Sequence, residues 1–177
     1  MNLWNSIRSA AAIAGIALVA SVATADDAGT VKGDLGHYFP IRTALAGDKT
    51  EGVKDHANEL AKSSDKATAK AAEAVAGAKD LKAARKAFGD LSKALIAAVE
   101  KATKAGTDIG AVYVFECPMA KPYGRWMQAE AELGNPYYGS QMFTCGRQIA
   151  ALGSAAGEKK DGEKQGGHEG HEGHGGH

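Results

Sequence analysis

The stretch DLKAARKAFGDLSKALIAAV, Asp80 to Val99, decides the fold class. Leu81, Ala84, Phe88, Leu91, Leu95 and Val99 recur in it every three or four residues. That spacing lines one face of an α-helix with apolar side chains and leaves the charged residues on the other. Asp80 is placed to accept from the free N–H groups of the first turn, and Gly106 stops the helix. Upstream, Val53, Ala57, Leu60, Ala61, Ser64, Ala67, Ala71 and Val75 repeat the pattern with smaller side chains. They predict a long helix that opens at a capping pair, Asp48 and Glu51, and ends at Gly77. Leu35 to Ala46 reads as a shorter first helix, which requires Pro40 to lie in its opening turn, where the missing N–H costs nothing.

Downstream of Gly106 the pattern changes. Ala111-Val112-Tyr113-Val114-Phe115 is β-branched and aromatic, either a short strand or an extended segment; with no second strong strand in the chain, extended coil is the reading. Between Glu116 and Leu152 lie both cysteines, Met119, Met127, Met142, Trp126, three tyrosines and three of the four prolines. Gly124 to Leu133 reads as a helical turn or short helix, Gly134-Asn135-Pro136 as a breaker, and Met142 to Leu152 as a last helix. After Gly153 the chain is dominated by Gly, Lys, Glu and His, with no apolar residue after Ala156, a composition that cannot bury a core. The expected architecture is mainly α: a small helical bundle with a Cys/Met-rich loop region near its C-terminal end and a disordered His-rich tail.

The first residues follow the plan of a secretory signal, with Arg8 for positive charge, an apolar run from Ala10 to Val22, and Ala23-Thr24-Ala25 for cleavage. Residues 1–25 are thus expected to be removed, 26–34 to form a linker, 35–152 the helical region and 153–177 the tail, in a protein exported to the periplasm. A membrane span would need ~20 mostly apolar residues, and this run is shorter and ends at Asp26-Asp27. The chain balances 21 Lys and Arg against 21 Asp and Glu. It therefore lacks the cationic excess that nucleic-acid phosphates demand.

Cys117-Pro118-Met119 and Met142-Phe143-Thr144-Cys145 present the same two ligand types in mirrored order. Thiolate with thioether is the set that selects Cu(I) over harder ions. An extended segment stiffened by Pro118 can point Cys117 and Met119 the same way, and on a helix Met142 and Cys145 would be neighbours at i and i+3. The competing reading is one disulfide between the two cysteines of an exported chain, worth ~3 kcal/mol on the chain-entropy model, with the methionines as core filler. Spacing does not choose between them. Met127, beside Trp126, reads as core. Asn135-Pro136-Tyr137-Tyr138-Gly139 reads as a tight turn that closes this region, its tyrosines packed in the core or shielding sulfur from water.

A set of motifs in order carries a family resemblance: Phe88 with Leu91-Ser92 and Ala94-Leu95; Cys117-Pro118-Met119; Gly124 and Trp126; Asn135-Pro136-Tyr137-Tyr138-Gly139; Met142; and Cys145-Gly146. From about Leu35 to Leu152 the chain resembles the DUF3347 family, small domains found alone or attached to periplasmic adaptor subunits of CusB-type copper and silver efflux pumps. The resemblance implies a helical fold, a periplasmic address, and heavy-metal handling with Cys117, Met119, Met142 and Cys145 as ligands. It also implies a copper or silver efflux system, or another periplasmic metal carrier, as partner. The chain departs from the adaptor-fused form in lacking a long adaptor region and in adding a histidine tail.

That tail ends in His168, His171, His174 and His177, one imidazole every third residue. Neutral imidazole suits Cu(II) and Zn(II), and a flexible ligand set binds them modestly because it must be ordered first. His56 reads as a solvent-facing helix residue and His37 has no evident partner. Neither forms a triad with a serine or cysteine, and the acids follow the solvated helix faces. The chain therefore reads as a metal-binding protein for sequestration, trafficking or resistance, not an enzyme. The alternative is a disulfide-stapled helical interaction module with weak metal binding by the tail alone.

Overall fold

Asp80 caps the helix that the apolar stripe predicts, its carboxylate accepting from the Ala83 N–H at 2.7 Å. The computed structural model describes residues 25–157 apart from Ser64 and Tyr123. Four helices come first in the chain: α1 over Ala25–Ala46, α2 over Val53–Ser63, α3 over Lys66–Ala76 and α4 over Leu81–Lys104. Ala84, Phe88, Leu91, Leu95 and Val99 are buried in α4, as their spacing predicts. They meet Leu35, Tyr38, Ile41 and Leu45 of α1 and Val53, Ala57 and Leu60 of α2 in one core.

Three helical expectations are corrected. The first helix begins before Leu35, so the segment read as a linker, 26–34, is helical and Pro40 lies inside α1. Proline removes one N–H there, but the carbonyl four residues back belongs to Gly36, which is exposed, so water can take its place. The long second helix is two helices. Asp65 sits between them in extended backbone and accepts from the N–H groups of Ala67 and Thr68, so it starts a new helix in place of continuing the old one. Asp48 is not a cap. It has a positive φ of 58°, and its carboxylate accepts from Arg85 at 2.6 Å and from the Ser140 N–H at 2.9 Å.

The C-terminal part is a sheet, which overturns the remaining helical and coil readings. Strand β1 spans Ala111–Glu116, β2 Arg125–Gln128 and β3 Arg147–Gly153, in the order β2-β1-β3 with both pairings antiparallel. The run read as coil is the central strand, and the segments read as helices at 124–133 and 142–152 supply its two partners. β1 buries Val112, Val114 and Phe115, and pairing on both sides satisfies its backbone. A bulge between Val114 and Phe115 skips Ile149 on β3. Beyond β3, Ser154–Gly157 forms a 3-10 turn with Ala155 buried, so order extends past the Gly153 boundary.

The helices and the sheet meet at Tyr38, which is fully buried. Its ring stacks on Phe88 with centroids 5.1 Å apart, its hydroxyl shares a 2.6 Å hydrogen bond with Ser92 Oγ, and the Met127 N–H donates to it at 3.1 Å. Burial pushes the Tyr38 hydroxyl above its ordinary value, so it stays neutral. A second tie runs through Arg85, which donates to the Leu45 and Pro136 carbonyls as well as to Asp48. Gly139 approaches this group with φ +54°, and a Cβ there would overlap the Asp48 carboxylate and the Arg85 guanidinium.

The hydrogen bonds from Ser140 and then Arg85 hold the Asp48 carboxyl down to about 2. A carboxyl depressed by folding contributes stability that is complete above its ordinary value of 3.8 and is lost as pH falls through about 2. In urea unfolding, wild type is expected to be more stable than Asp48→Asn at pH 5, with the gap closing between pH 4 and pH 2. A gap that stays constant over that range would contradict this account.

Candidate functional site

Register brings the two cysteines together. Glu116, the last residue of β1, pairs with Arg125 on one side and Arg147 on the other. Cys117 therefore leaves the sheet at the edge where the chain from Cys145 and Gly146 enters it. The two Sγ atoms lie 3.2 Å apart as free thiols, Cys117 fully buried and Cys145 half-buried.

Each cysteine is held by its own loop. The Cys117 N–H donates to the Gly124 carbonyl at 2.7 Å and its carbonyl accepts from Ala120, which closes the β1–β2 connection at its base. Gly124 has φ +42°, and a Cβ there would stand 2.8 Å from the Cys117 oxygen, so the closure needs glycine. Cys145 is fixed by Asn135. This buried side chain donates from Nδ2 to the Cys145 carbonyl at 2.8 Å and accepts at Oδ1 from the Tyr137 N–H at 2.9 Å. The Asn135 N–H also donates to the Phe143 carbonyl, and its carbonyl accepts from the Gly139 N–H. The turn read at Asn135-Pro136-Tyr137-Tyr138-Gly139 is thus a clamp on the second cysteine.

Tyr137 and Tyr138 brace the loops. Tyr137 donates to the Arg125 carbonyl at 2.5 Å, and its ring packs edge-on to Trp126 at 6.0 Å. Burial pushes its hydroxyl above the ordinary value. Tyr138 donates to the Met119 carbonyl at 2.8 Å, tying the tip of the β1–β2 connection to the 136–138 turn. Trp126 and Met127 are core residues, as read from the sequence.

The methionines are placed differently from the expectation. Met142 and Cys145 are joined by a turn, the Cys145 N–H donating to the Met142 carbonyl at 3.0 Å, after a 3-10 segment at Gly139–Gln141. The i, i+3 relation survives but the helix does not. Gly146 leaves the helical region with φ +146°, and a Cβ there would lie 2.9 Å from the Trp126 ring. Met142 is half-buried, and Met119 is 60 % exposed at the tip of the other connection. Cys117, Met119, Met142 and Cys145 lie on connections at one end of the sheet, and the two cysteines are in contact.

The chemistry of the pair follows from its contact. The hydrogen bond with Cys117, with burial a smaller cause, raises the Cys145 thiol above its ordinary value, so Cys145 rests protonated near neutral pH. Cys117 also contributes to a groove of about 800 Å³ with Lys93, Lys121, Arg125 and Arg147 along its walls and Glu100 and Glu116 among them, Glu116 being paired with Arg147 at 3.6 Å. Among the described residues, no three His, Cys, Asp or Glu side chains form a metal-ligating group. His168, His171, His174 and His177 lie outside the described residues, as does the signal-like segment 1–24. Among the described residues no helix is long and apolar enough to cross a membrane.

One pair went unseen in the sequence. His37 of α1 and His56 of α2 face each other with Nδ1 atoms 3.1 Å apart. The signal was available in retrospect: each histidine immediately precedes a fully buried residue of its helix, Tyr38 and Ala57, so both flank the same helix–helix seam.

No curated protein and no solved structure matches the chain. Residues 35–107 match the family model described as Protein of unknown function (DUF3347). The match covers α1 from Leu35 through α4 and stops before β1, so the sheet and its thiol pair lie beyond it. The similarity to DUF3347 thus covers the helical part of this protein, Leu35 to Thr107.

Proposed function

We propose that the protein binds a soft metal ion, copper as Cu(I), at Cys117 and Cys145, and that it does so in the periplasm for sequestration, trafficking or resistance. The observation that carries this reading is the meeting of two unbonded thiols, 28 residues apart in sequence, at 3.2 Å. Thiolate sulfur selects Cu(I). Met119 and Met142, on the connections that carry the two cysteines, are the thioether candidates. Cys117 supplies the buried side of the pair and Cys145 the half-buried side. The efflux-adaptor association implied by the resemblance makes a copper or silver efflux system the proposed partner. Loading displaces thiol protons. Because the Cys145 thiol is raised, affinity is expected to fall as pH drops.

The same contact favours a second reading, in which the thiols lose two electrons and two protons to an oxidising environment and form a disulfide. The cross-link would stabilise the fold by about 3 kcal/mol on the chain-entropy model, and the protein would serve as a stapled interaction module.

The two readings give opposite mutant patterns. Under the metal reading, Met119→Leu and Met142→Leu keep volume and apolarity, so melting is expected to hold while Cu(I) affinity, measured against a competing chelator under reductant, falls. Cys117→Ser and Cys145→Ser are expected to lower it further. Under the disulfide reading the methionine variants bind as wild type does, and either serine variant lowers melting equally in oxidising buffer. Unchanged Cu(I) affinity in both methionine variants removes the thioethers from the ligand set, and unchanged affinity in both serine variants removes the site.

The tail is proposed to collect Cu(II) or Zn(II) through His168, His171, His174 and His177. Deleting residues 166–177 is expected to leave helicity and melting unchanged and to abolish most weak Cu(II) binding near neutral pH. Equal binding before and after deletion would show that the tail takes no part.

A further inference from the structure

Outside the sulfur region, the structure brings two imidazoles to one point. His37 and His56 are 19 residues apart, on different helices, and both half-buried. Their Nδ1 atoms lie 3.1 Å apart, with ring centroids at 5.4 Å and planes tilted by 48°. The rings are therefore not stacked; they are turned so that nitrogen meets nitrogen. Two neutral imidazoles can share one proton across this distance, but two imidazolium ions cannot, because both nitrogens would then be donors.

Asp55, Asn58, Glu59 and Lys62 line the cleft at which the pair sits. Glu59 is committed to Lys62 at 2.7 Å. That contact is the main reason its carboxyl lies below its ordinary value, with the charge of His37 a smaller contribution. Among the described residues neither imidazole has a carboxylate salt bridge, and each has the other as its hydrogen-bonding partner.

We propose that His37 and His56 form a site for a borderline divalent ion such as Zn(II) or Cu(II), held through both Nδ1 atoms. Metal–imidazole bonds are about 2.0–2.1 Å. Two such nitrogens 3.1 Å apart subtend about 100° at a shared ion, between the right angle of square-planar or octahedral coordination and the tetrahedral value. The remaining positions face the cleft and are left to water or an exchanging ligand, as in an open site, not a closed structural one. The helices already hold the two donors in place, so binding orders little that is not already ordered. This site is independent of the thiol pair: its donors are nitrogen, and it lies on α1 and α2, away from the loops that carry sulfur.

The test is a Zn(II) titration of the full chain under reductant, followed by the ring carbon and proton NMR signals of each histidine. His37→Gln and His56→Gln variants assign the two rings. The expected result is that the His37 and His56 signals move together, and that in His37→Gln the His56 ring needs at least ten-fold more Zn(II) for the same shift. The reading is separate from metal taken by the tail or by the thiols, because those move other signals. The proposal is overturned if either ring is unmoved in wild type once the tail histidines are saturated, or if His56 responds in His37→Gln at the wild-type concentration. Should His37→Gln lose helicity, the reciprocal His56→Gln variant and the wild-type titration decide, since a plain hydrogen-bonded pair leaves both rings unmoved.

Discussion

The buried hydroxyl of Tyr38 is the junction on which the architecture depends. β2 is an edge strand, and an edge presents backbone N–H groups that need partners. Tyr38 reaches from α1 to take the Met127 N–H, while Ser92 of α4 takes part from the other side. One side chain thus joins two helices to the outer edge of the sheet. A phenylalanine there would keep the stacking on Phe88 but leave a buried N–H and a buried hydroxyl without their partner, at a cost of about 1–3 kcal/mol for each unsatisfied group. Because β2 pairs with β1 and β1 with β3, what fixes β2 on the helices also fixes the end of the sheet where Cys117 and Cys145 meet.

The site is built from two clamps of different kinds on that frame. Cys117 follows directly from a central strand and is fixed by the closure through Gly124. Cys145 stands on a turn and is fixed through Asn135, whose side chain and backbone together make four hydrogen bonds to the loop. Two thiols in contact on separate connections can close into a disulfide or take an ion between them, and this is why both proposed readings share one geometry.

The helical half was legible because its information is local. An apolar residue every three or four positions and an aspartate ahead of Leu81 specify α4 without reference to anything distant. The sheet was not legible, for the opposite reason. β2 has four residues and no alternation long enough to read, and the other partner of β1, β3, begins only at Arg147. Val112, Val114 and Phe115 carried a strand signal, but a strand reading requires partners, and their absence from the pattern favoured coil. Asp48 misled for a related reason: a carboxylate at a helix boundary is most simply a cap, and only Arg85 and Ser140, brought near by the fold, give it other work. The cysteines and methionines were readable as a cluster by type. Their mutual placement was not, since it follows from the register at Glu116.

Sulfur and nitrogen donors fall on opposite parts of the fold, and the division has a physical logic. A thiol pair can be reduced and loaded only where a loop can yield, so it belongs at the open end of a sheet. An imidazole pair needs no redox change and gains from rigid support, so a helix–helix seam suits it. Soft and borderline ions would therefore be sorted by donor type, and the sorting would follow from where the fold is stiff and where it gives. On the proposed reading, a single small frame keeps reduced and oxidised copper chemistry apart because Tyr38, through the α1–β2 contact, sets both positions at once: its neighbour His37 on one side and the strand leading to the thiols on the other.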